Sequence, residues 1–423
     1  MSIRARVASF IASRLGKDVP LRLVFWDGHA VDLSNRPTVT LTLATPRCAR
    51  LMLKGDLDKL CAAYVSGEIL VDGAIPDILN VGLELAQQIG RLPLVSKIAR
   101  TAARIPRPRS RKRDAENVRF HYDVSNDFYR LWLDELMIYS CAYFRLGNED
   151  IHQAQRQKLD HICRKLRLEA KDRFLDIGCG WGGLLRWAAV NYGVTGVGAT
   201  ISTAQLQYVR AAVTKEGLAG RVEIRMQDYR DIPEAGSFDK IASVGMYEHV
   251  GLANLQSYFD KAARLLRPGG VFLNHGIYLP NADGRAPGPS VNFLDRYVFP
   301  GGALPTLSAA VKHLTVAGFE ILDFEDLRPH YTRTLALWLA KLESSREAAI
   351  AFAGEERYRI WRMFLGAMAY AFDAGWLSVG QFVACKPAAT NIGWRPWTRE
   401  HQYTGASATI APRLNWYCGG GDA

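Results

Sequence analysis

Residues 1–99 alternate apolar and polar positions in a way that predicts a small α+β unit. An apolar run ending at Phe25 precedes Asp27-Gly28, and this order predicts a β-hairpin. Val39–Leu43 alternates apolar with polar positions and predicts a half-buried strand. Helical periodicity then predicts two helices, at residues 56–65 and 75–88.

The opening stretch MSIRARVASFIASRLGK predicts an amphipathic helix. Its apolar residues share one helical face: Ile3, Val7, Phe10, Ile11 and Leu15. The apolar run is too short for the core of a secretory signal or for a membrane span. Two roles stay open for this face, which either packs on the N-terminal unit or lies on a membrane surface.

From residue 116 to residue 387, apolar runs alternate with helical periodicity. This alternation predicts an α/β domain with a doubly wound, mostly parallel sheet of seven strands. The predicted strands are Arg173–Ile177, Val194–Ala199, Val222–Gln227, Phe238–Val244, Gly270–Tyr278, Phe319–Leu327 and Val379–Cys385. A helical insert at residues 334–374 precedes the last strand, and the polar, Gly-rich tail at 388–423 has no predicted structure.

The chain carries 53 basic and 42 acidic residues, which gives a formal net charge of +11. Seven of the basic residues and two prolines lie in ARTAARIPRPRSRKRD, and because like charges repel and proline blocks a helix, residues 100–115 are predicted to be a linker. Such an excess of positive charge favours an anionic partner, either nucleic acid or an acidic membrane surface. No nucleic-acid recognition motif accompanies it. The linker is therefore either a solvated tether or a strip that contacts anionic lipid headgroups.

The chain has seven cysteines and no CxxC pair, which argues against a disulfide framework and against a zinc knuckle. A reducing cytosol fits this cysteine usage. No apolar run approaches the roughly 18–20 residues that cross a bilayer. The expected location is therefore cytoplasmic, and no metal site is expected.

The stretch FLDIGCGWGG, at residues 174–183, places four glycines between a predicted strand and a predicted helix. Glycines let the backbone approach a ligand closely, and the start of the helix faces that ligand. The spacing also satisfies GxGxxG, which by itself favours a dinucleotide. A nicotinamide site needs an acidic residue about 20 positions on, but the next strand ends in GATIS without one. Asp176, just before the turn, is typical instead of an S-adenosylmethionine site and is predicted to line it.

Polar residues after the next two strands complete the predicted cofactor site. Thr200, Ser202 and Gln205 offer hydroxyl and amide groups to the ribose in place of the missing acid. Asp228 follows the third strand, where its carboxylate is placed to accept a hydrogen bond from an adenine amine. We therefore interpret this region as a methyltransferase site and not as a dehydrogenase site.

Several stretches taken together resemble the cyclopropane-fatty-acyl-phospholipid synthase family. They are FHYDVSNDFYRLWLDELMIYSCAYF (120–144), LDIGCGWGG (175–183), GATISTAQ (198–205), QDYRDI (227–232), SVGMYEHVG (243–251), NHGI (274–277) and RYVFPGGALP (296–305). The resemblance covers residues 116–387, and YVSGEI at residues 64–69 is similar to the N-terminal extension of that family.

The resemblance implies an enzyme that transfers the methyl group of S-adenosylmethionine to a double bond in a phospholipid acyl chain. The alkene attacks the methyl group, and the resulting carbocation loses a proton to close a cyclopropane ring. Aromatic faces stabilise such a cation, and the candidates are Tyr139, Tyr143, Phe144 and Tyr247. The expected location becomes the inner face of the membrane, with anionic phospholipid as substrate and docking surface. The resemblance leaves open whether the protein forms a homodimer.

The same resemblance implies that a bound bicarbonate ion takes the proton. Its side-chain ligands are implied to be Cys141, Glu248, His275 and Tyr331, with the Gly276 amide facing the same site. The residues implied to line the cofactor are Tyr139, Ser140, Gly178, Gly180, Thr200, Gln205, Asp228 and Tyr229. Of these, Tyr139 and Ser140 are expected at the carboxylate end of the cofactor.

One position departs from the family pattern. Many members have a cysteine in a late helix. The corresponding stretch here, FLGAMAYAF at residues 364–372, has Met368 at that position. The alkene itself is the nucleophile in methyl transfer, so this difference does not predict an inactive enzyme. It leaves open a methyl-branched product, methylation of a small-molecule amine, and a catalytically silent lipid-binding protein.

Overall fold

The computed structural model describes residues 2–15, 19–90, 125–281, 293–299, 302–388 and 396–403. The predicted linker at 100–115 and residues 404–423 of the tail lie outside these described residues. The strands are β1 (Leu21–Phe25), β2 (Ala30–Asp32), β3 (Val39–Leu43), β4 (Ile69–Gly73), β5 (Arg173–Ile177), β6 (Thr195–Thr200), β7 (Val222–Met226), β8 (Phe238–Val244), β9 (Leu266–Tyr278), β10 (Glu320–Asp326) and β11 (Ser378–Cys385).

Helices connect most of these strands, and two of the connections also contain single 3₁₀ turns, Tyr229–Asp231 and Leu252–Asn254. The α-helices are α1 (Ile3–Leu15), α2 (Pro46–Lys54), α3 (Leu57–Ser66), α4 (Ile75–Gly90), α5 (Asn126–Arg130), α6 (Ile151–Leu166), α7 (Gly183–Asn191), α8 (Thr203–Lys215), α9 (Tyr247–Val250), α10 (Leu255–Leu265), α11 (Phe293–Tyr297), α12 (Leu307–Val316), α13 (Arg328–Ser344), α14 (Arg346–Ala353), α15 (Glu355–Asp373) and α16 (Glu400–Tyr403).

Two units divide the chain, and each is discontinuous in sequence. The first contains residues 1–110, 287–300 and 339–371, and the second contains residues 111–286, 301–338 and 372–423. The boundaries predicted from sequence place residues 116–387 in one domain, whereas most of the helical insert groups with the N-terminal residues. Arg359 of α15 contributes to this grouping, because its NH1 donates a 3.1 Å hydrogen bond to the Val65 carbonyl.

The first unit has a four-stranded sheet in the order β2-β1-β3-β4. The hairpin predicted at Asp27-Gly28 is confirmed, because β1 and β2 pair antiparallel and Gly28 has a left-handed φ of +78°. In α1, the apolar residues Val7 and Ile11 are fully buried, which supports packing within the unit as the role of that face. Among the described helices, none combines the length and the apolar character needed to cross a bilayer.

The second unit has a seven-stranded sheet in the order β10-β11-β9-β8-β5-β6-β7. Strands β5 to β9 are parallel, and β11 runs antiparallel between β9 and β10. Two apolar cores flank it, one around Leu185 and Trp187 and the other around Phe238 and Phe272. The predicted doubly wound, mostly parallel sheet is therefore confirmed. Its near-continuous apolar strands are those expected of a sheet buried on both faces.

The strand order reverses at β5, which fixes where a ligand crevice is expected. From β5 the chain continues through β6 and β7 on one side, and then through β8 and β9 on the other. In open α/β sheets, ligands bind outside the carboxyl ends of the strands at such a reversal. The glycine-rich loop after β5 lies at this position.

The polar tail contains a short helix that the sequence did not predict. Helix α16 spans Glu400–Tyr403 and includes Gln402, which is 4% exposed. Gln402 Nε2 donates a 2.9 Å hydrogen bond to Asp323 Oδ2, and Arg164 NH1 donates a 3.2 Å bond to the Tyr403 carbonyl. The expectation of an unstructured tail is therefore wrong for these residues, because polar contacts to α6 and β10 hold them.

Candidate active site

The loop after β5 makes the tight turn that its glycines predict. Gly178 and Gly180 have left-handed φ values of +76° and +55°, which residues with a Cβ adopt only at a cost. A Cβ on Gly178 would lie 2.9 Å from Met246 Cγ, whereas a Cβ on Gly180 would have no atom within 4 Å. The open space beside Gly180 belongs to a cleft at the start of α7.

This cleft lies at the carboxyl ends of β5 and β6. All the predicted cofactor residues except Ser202 line it: Tyr139, Ser140, Asp176, Gly178, Gly180, Thr200, Gln205, Asp228 and Tyr229. Ser202 is fully buried, and its Oγ accepts a 3.3 Å hydrogen bond from the Gln205 backbone amide as the N-cap of α8. Ser202 therefore shapes the loop beside the cleft and does not form its wall.

Thr200 and Gln205 are joined directly. Thr200 Oγ1 donates a 2.8 Å hydrogen bond to Gln205 Oε1 and accepts a 3.2 Å bond from the Ser202 amide. Both side chains are buried. The pairing fixes their orientation at the position where a nicotinamide site would have an acidic residue.

Asp228 is held in place by Arg230. Its Oδ1 accepts hydrogen bonds from the Arg230 backbone amide and Nε, both at 2.9 Å, and its Oδ2 accepts from NH2 at 2.6 Å. The carboxylate also caps the 3₁₀ turn that follows it. A carboxylate has about four lone-pair sites. The pairing therefore orients Asp228 and leaves it acceptor capacity for the predicted adenine amine.

A buried lysine that the sequence did not reveal lines the same cleft. Lys158 of α6 is 2% exposed, and its Nζ donates a 2.8 Å hydrogen bond to Ser140 Oγ. Burial lowers the pKa of Lys158 to about 8, against the attraction of Asp134 and Asp176. Burial raises the pKa of Asp176 to about 7, and Lys158 opposes that rise. The sequence did contain a signal for this burial. Lys158 lies four positions before the apolar Ile162, so both residues share the buried face of α6.

The backbone that leads to Ser140 is shaped by Asp134. The Asp134 carboxylate accepts hydrogen bonds from the amides of Leu136, at 2.9 Å, and Ile138, at 2.8 Å. Between them, Met137 has a φ of +57°, which is uncommon for a residue with a Cβ. Strained backbone of this kind persists where the surroundings hold it, often at functional sites. Met137 and Ile138 both line the cleft.

Tyr139 belongs to an aromatic cluster. Its ring centroid lies 5.3 Å from that of Trp338, 5.5 Å from that of Trp132 and 5.9 Å from that of Tyr129. Tyr331 meets the same cluster through Trp338, at 6.3 Å. The structure therefore brings Tyr139, a predicted cofactor residue, and Tyr331, a predicted anion ligand, to one aromatic wall.

Two of the other predicted aromatic residues contact histidines. The Tyr143 ring stacks between His161, at 4.2 Å, and His330, at 4.8 Å. Phe144 lies 6.2 Å from His330, and its backbone amide donates a 3.0 Å hydrogen bond to the Nδ1 of that ring. These contacts give Tyr143 and Phe144 a structural role in docking their segment onto α6 and α13.

Cys141 is fully buried and acts as a hydrogen-bond donor. Its Sγ lies 3.2 Å from the Ala142 carbonyl and 3.8 Å from the Leu327 carbonyl. Burial raises the pKa of the Cys141 thiol well above its usual range, so it is protonated at neutral pH. The Tyr331 backbone amide donates a 3.1 Å hydrogen bond to the same Leu327 carbonyl. The Leu327 carbonyl is therefore contacted by both the Cys141 thiol and the Tyr331 backbone amide.

Glu248 extends from α9 to the backbone of β9. Its Oε1 accepts a 2.8 Å hydrogen bond from the Ile277 amide. Its Oε2 is buried and, within the described part of the chain, has no hydrogen-bond partner. Burial raises the pKa of Glu248 to about 7. A buried carboxylate oxygen without a donor is costly, so Oε2 fits the hydroxyl group of a bicarbonate ion.

Tyr247 packs closely against the backbone of β9 beside Glu248. A Cβ on Gly276 would lie 2.1 Å from Tyr247 Cε1, so only a glycine allows this approach. The Tyr247 hydroxyl donates a 2.7 Å hydrogen bond to the Ile277 carbonyl. Tyr247 and Glu248 thus hold the two sides of the same peptide segment of β9.

His275 lies two residues before Ile277 on β9 and is 2% exposed. Its Nδ1 lies 3.1 Å from Gln381 Nε2 on the neighbouring β11. Burial, with a further effect from the cations Lys158 and Lys165, lowers the pKa of His275 well below its usual range. The imidazole is therefore neutral at neutral pH.

The four predicted anion ligands are Cys141, Glu248, His275 and Tyr331. Among the residues that the structure describes, the cleft wall contains none of them. Two of them directly adjoin the wall, since Cys141 follows Ser140 and Glu248 precedes His249. Sequence neighbours therefore connect Cys141 and Glu248 to the cleft, and the aromatic cluster connects Tyr331 to it.

The family model for mycolic acid cyclopropane synthetases matches residues 109–382. The chain belongs to this family. It is 44% identical over 386 residues to a probable fatty acid methyltransferase of Pseudomonas putida, covering 91% of this chain and 96% of the relative. It is 35% identical over 409 residues to a probable fatty acid methyltransferase of Mycobacterium tuberculosis, covering 89% of this chain and 94% of the relative.

A solved structure agrees with this membership. A mycolic acid cyclopropane synthase complexed with SAH and CTAB superposes with a TM-score of 0.61 at 34% identity, covering 64% of this chain and 98% of the other. The protein is therefore an S-adenosylmethionine-dependent methyltransferase. Its cleft suits that cofactor, because it combines open space at Gly180 with polar groups at Thr200 and Asp228.

Proposed function

We propose that this methyltransferase acts on the double bond of an unsaturated phospholipid acyl chain and gives a cyclopropane ring. The observation that carries the proposal is Glu248 Oε2, a buried carboxylate oxygen that lacks a donor among the described residues. Closing a cyclopropane ring after methyl transfer to an alkene requires proton removal, and therefore a base held near the reacting carbon. The names of the relatives, a fatty acid methyltransferase and a cyclopropane synthase, support a lipid acceptor.

The cleft residues bind and orient the cofactor, which supplies the methyl group when bound. Ser140 and Lys158 offer donors for the carboxylate of its amino-acid portion. Thr200 and Gln205 offer polar groups for the ribose, in an orientation that their mutual hydrogen bond fixes. Asp228, held by its arginine partner, accepts from the adenine amine.

The anion ligands divide into one acceptor and three donors. Bicarbonate, when bound there, would supply the base that takes the proton from the new methyl group. Glu248 accepts a hydrogen bond through Oε2 when its carboxyl group is ionised. The neutral His275 and the phenol of Tyr331 donate. The protonated Cys141 donates when its single proton turns from the backbone carbonyls to the anion. Among these side chains, none needs to act as a nucleophile.

The aromatic cluster suits a cationic intermediate. The rings of Tyr139, Trp132 and Trp338 lie within 5.6 Å of one another by centroid. A ring face stabilises a nearby cation by about 0.5–2 kcal/mol. The same aromatic side chains exclude water, which would otherwise add to the cation before the cyclopropane closes.

A phospholipid acceptor implies that the enzyme works at a membrane surface. The net charge of +11 favours anionic headgroups. We therefore place the enzyme peripherally on the inner face of the membrane, held by its basic residues. The buried Val7 and Ile11 of α1 are unavailable for insertion, so charge and not this helix provides the attraction.

A vesicle assay tests the proposed function. The full-length protein would be incubated with methyl-labelled S-adenosylmethionine and vesicles of anionic phospholipid, with bicarbonate present. Vesicles with fully saturated acyl chains serve as the matched control. Mass spectrometry should find the label in the unsaturated acyl chains and not in the saturated ones. Cofactor binding by calorimetry together with unlabelled acyl chains would exclude the proposed function.

A methyl-branched chain is the second candidate product, because two relatives are named fatty acid methyltransferases. Relative to the carbocation, such a product gains a hydride overall, so the reaction needs a reductant. Adding reduced nicotinamide to the vesicle assay tests this alternative. A product that appears only with the reductant would favour the branched chain.

A further inference from the structure

A network of polar side chains extends from His275 within the second unit. Gln381 Nε2 lies 3.1 Å from His275 Nδ1, and Lys165 Nζ donates a 2.7 Å hydrogen bond to Gln381 Oε1. Lys165 also donates to Glu325 Oε2, and His161 Nε2 lies 2.7 Å from that same oxygen. His275, Gln381, Lys165 and His161 are each at most 4% exposed.

The backbone itself sets the first contact of this chain. The register of β9 and β11 places Gln381 directly opposite His275 in an antiparallel pair. Side chains at directly opposite positions project from the same face of the sheet, a few ångströms apart. The contact between the amide and the imidazole is therefore a consequence of strand pairing and not of a mobile loop.

The direction of the Gln381 amide follows from its other partner. An ammonium group has three donors and no acceptor, so Lys165 can contact only the oxygen of the amide. Burial would raise the pKa of Glu325, but its contacts with His161 and Lys165 lower that pKa to about 2. Glu325 therefore stays ionised and gives Lys165 a negatively charged partner. The amide nitrogen of Gln381 consequently faces His275, and an amide NH₂ group can only donate.

We propose that Gln381, oriented by Lys165 and Glu325, holds neutral His275 in the tautomer with its proton on Nε2. Nδ1 accepts the hydrogen bond from Gln381, so the proton must be on the other ring nitrogen. His275 then presents a donor to the anion and cannot remove a proton through Nε2. Gln381 is a positioning residue for the reaction, and this inference rests on the proposed function for the identity of the anion.

Nitrogen NMR reads this tautomer directly, without an activity assay. The full-length protein would be prepared with ¹⁵N-labelled histidine, and long-range proton–nitrogen correlations identify the protonated ring nitrogen. A His275→Gln variant assigns the signals by their disappearance. We expect a protonated Nε2 and an unprotonated Nδ1 in the wild-type protein. A protonated Nδ1 in that spectrum overturns the proposal, whether or not any variant folds.

The variant Gln381→Glu replaces the donor beside His275 with an acceptor. The His275 proton should then move from Nε2 to Nδ1, which removes the donor to the anion. Turnover should fall about tenfold or more, the usual effect of losing a hydrogen bond to a charged group. Cofactor affinity should change by less than about twofold, because Gln381 does not line the cleft. An unchanged His275 nitrogen pattern in this variant also overturns the proposal.

Gln256→Glu is the matched control, because Gln256 Oε1 lies 2.8 Å from His313 Nδ1 in a second glutamine–histidine pair. Both Gln→Glu substitutions add one negative charge, so the His275 signals should not move in Gln256→Glu.

Different measurements test the proposed function and the tautomer of His275. Absence of acyl label with the wild-type protein rejects the proposed function, whereas the wild-type nitrogen spectrum decides the tautomer.

Discussion

Lys158 Nζ donates a 2.8 Å hydrogen bond to Ser140 Oγ in the wall of the cofactor cleft. The contact ties helix α6 to the segment that carries the predicted cofactor and anion ligands. It also places a buried positive charge near the carboxylates of Asp134 and Asp176. A cofactor whose amino-acid portion carries both charges can pair with both kinds of group. Lys158 should therefore affect cofactor affinity more than turnover.

Lys158→Met tests this expectation. Loss of a charge-assisted hydrogen bond should weaken binding of S-adenosylhomocysteine by about tenfold or more. Isothermal calorimetry measures the change, and circular dichroism verifies the fold. Lys215→Met, at an exposed position of α8, is the surface control. Equal affinities for the two variants would show that Lys158 has no part in cofactor binding.

Glu248→Gln should lower turnover without weakening cofactor binding. The amide oxygen can still accept from the Ile277 amide, but the group that replaces Oε2 becomes a donor. We expect a loss of about 100-fold in turnover, typical of removing a group that takes part in proton transfer. The exposed Glu169→Gln serves as the control. Full turnover in Glu248→Gln would remove this carboxylate from the mechanism.

The pH dependence of turnover should report the same carboxyl group. Burial raises the pKa of Glu248 to about 7, so the group is protonated below that pH and ionised above it. Because the ionised form is the acceptor, turnover should rise with pH through about 7 and then level off. The assay must hold the bicarbonate concentration constant at each pH. The same rise in Glu248→Gln would assign it to another group.

Cys141 should behave as a protonated donor. Burial raises the pKa of its thiol, so iodoacetamide should leave Cys141 unmodified in the folded protein at neutral pH and modify it after denaturation. Cys141→Ser keeps a donor and should retain more turnover than Cys141→Ala, by about tenfold. Cofactor affinity should stay the same in both. Equal inactivity of the two variants would argue for chemistry that requires sulfur.

Gly276→Ala should destabilise the second unit. The added Cβ would lie 2.1 Å from Tyr247 Cε1 and would displace the ring from the backbone of β9. Overpacking of this kind typically costs about 1–3 kcal/mol. Thermal unfolding measures the loss, and Gly220→Ala, where a Cβ would meet no atom within 4 Å, is the control. Equal stability of the two variants would show that the ring moves at no cost.

The sheet was predictable because its strands are continuous apolar runs with clear ends. Strands β5 and β8 match their predicted bounds, Arg173–Ile177 and Phe238–Val244. The grouping of residues 339–371 with the N-terminal residues was not predictable, because it depends on contacts between distant parts of the chain. The Arg359 bond to the Val65 carbonyl is one of them.

The positions of the predicted site residues follow the sequence in outline, and the differences have local causes. Ser202 and Gln205 form the S-x-x-Q pattern of a helix start, and this pattern explains why Ser202 caps α8 and does not line the cleft. Lys158 was missed because a lysine in a helix is usually solvated. Its burial depends on Ser140 and on two acids that lie apart from it in sequence.

Deuterated cofactor tests the central claim most directly. The full-length protein would receive S-adenosylmethionine with a trideuterated methyl group, vesicles of unsaturated anionic phospholipid, and bicarbonate. Cyclopropane formation removes one hydrogen from the transferred methyl group, so mass spectrometry should find two of the three deuterium atoms in the acyl chain. An acyl chain that retains all three, or one that contains no deuterium, would contradict the account.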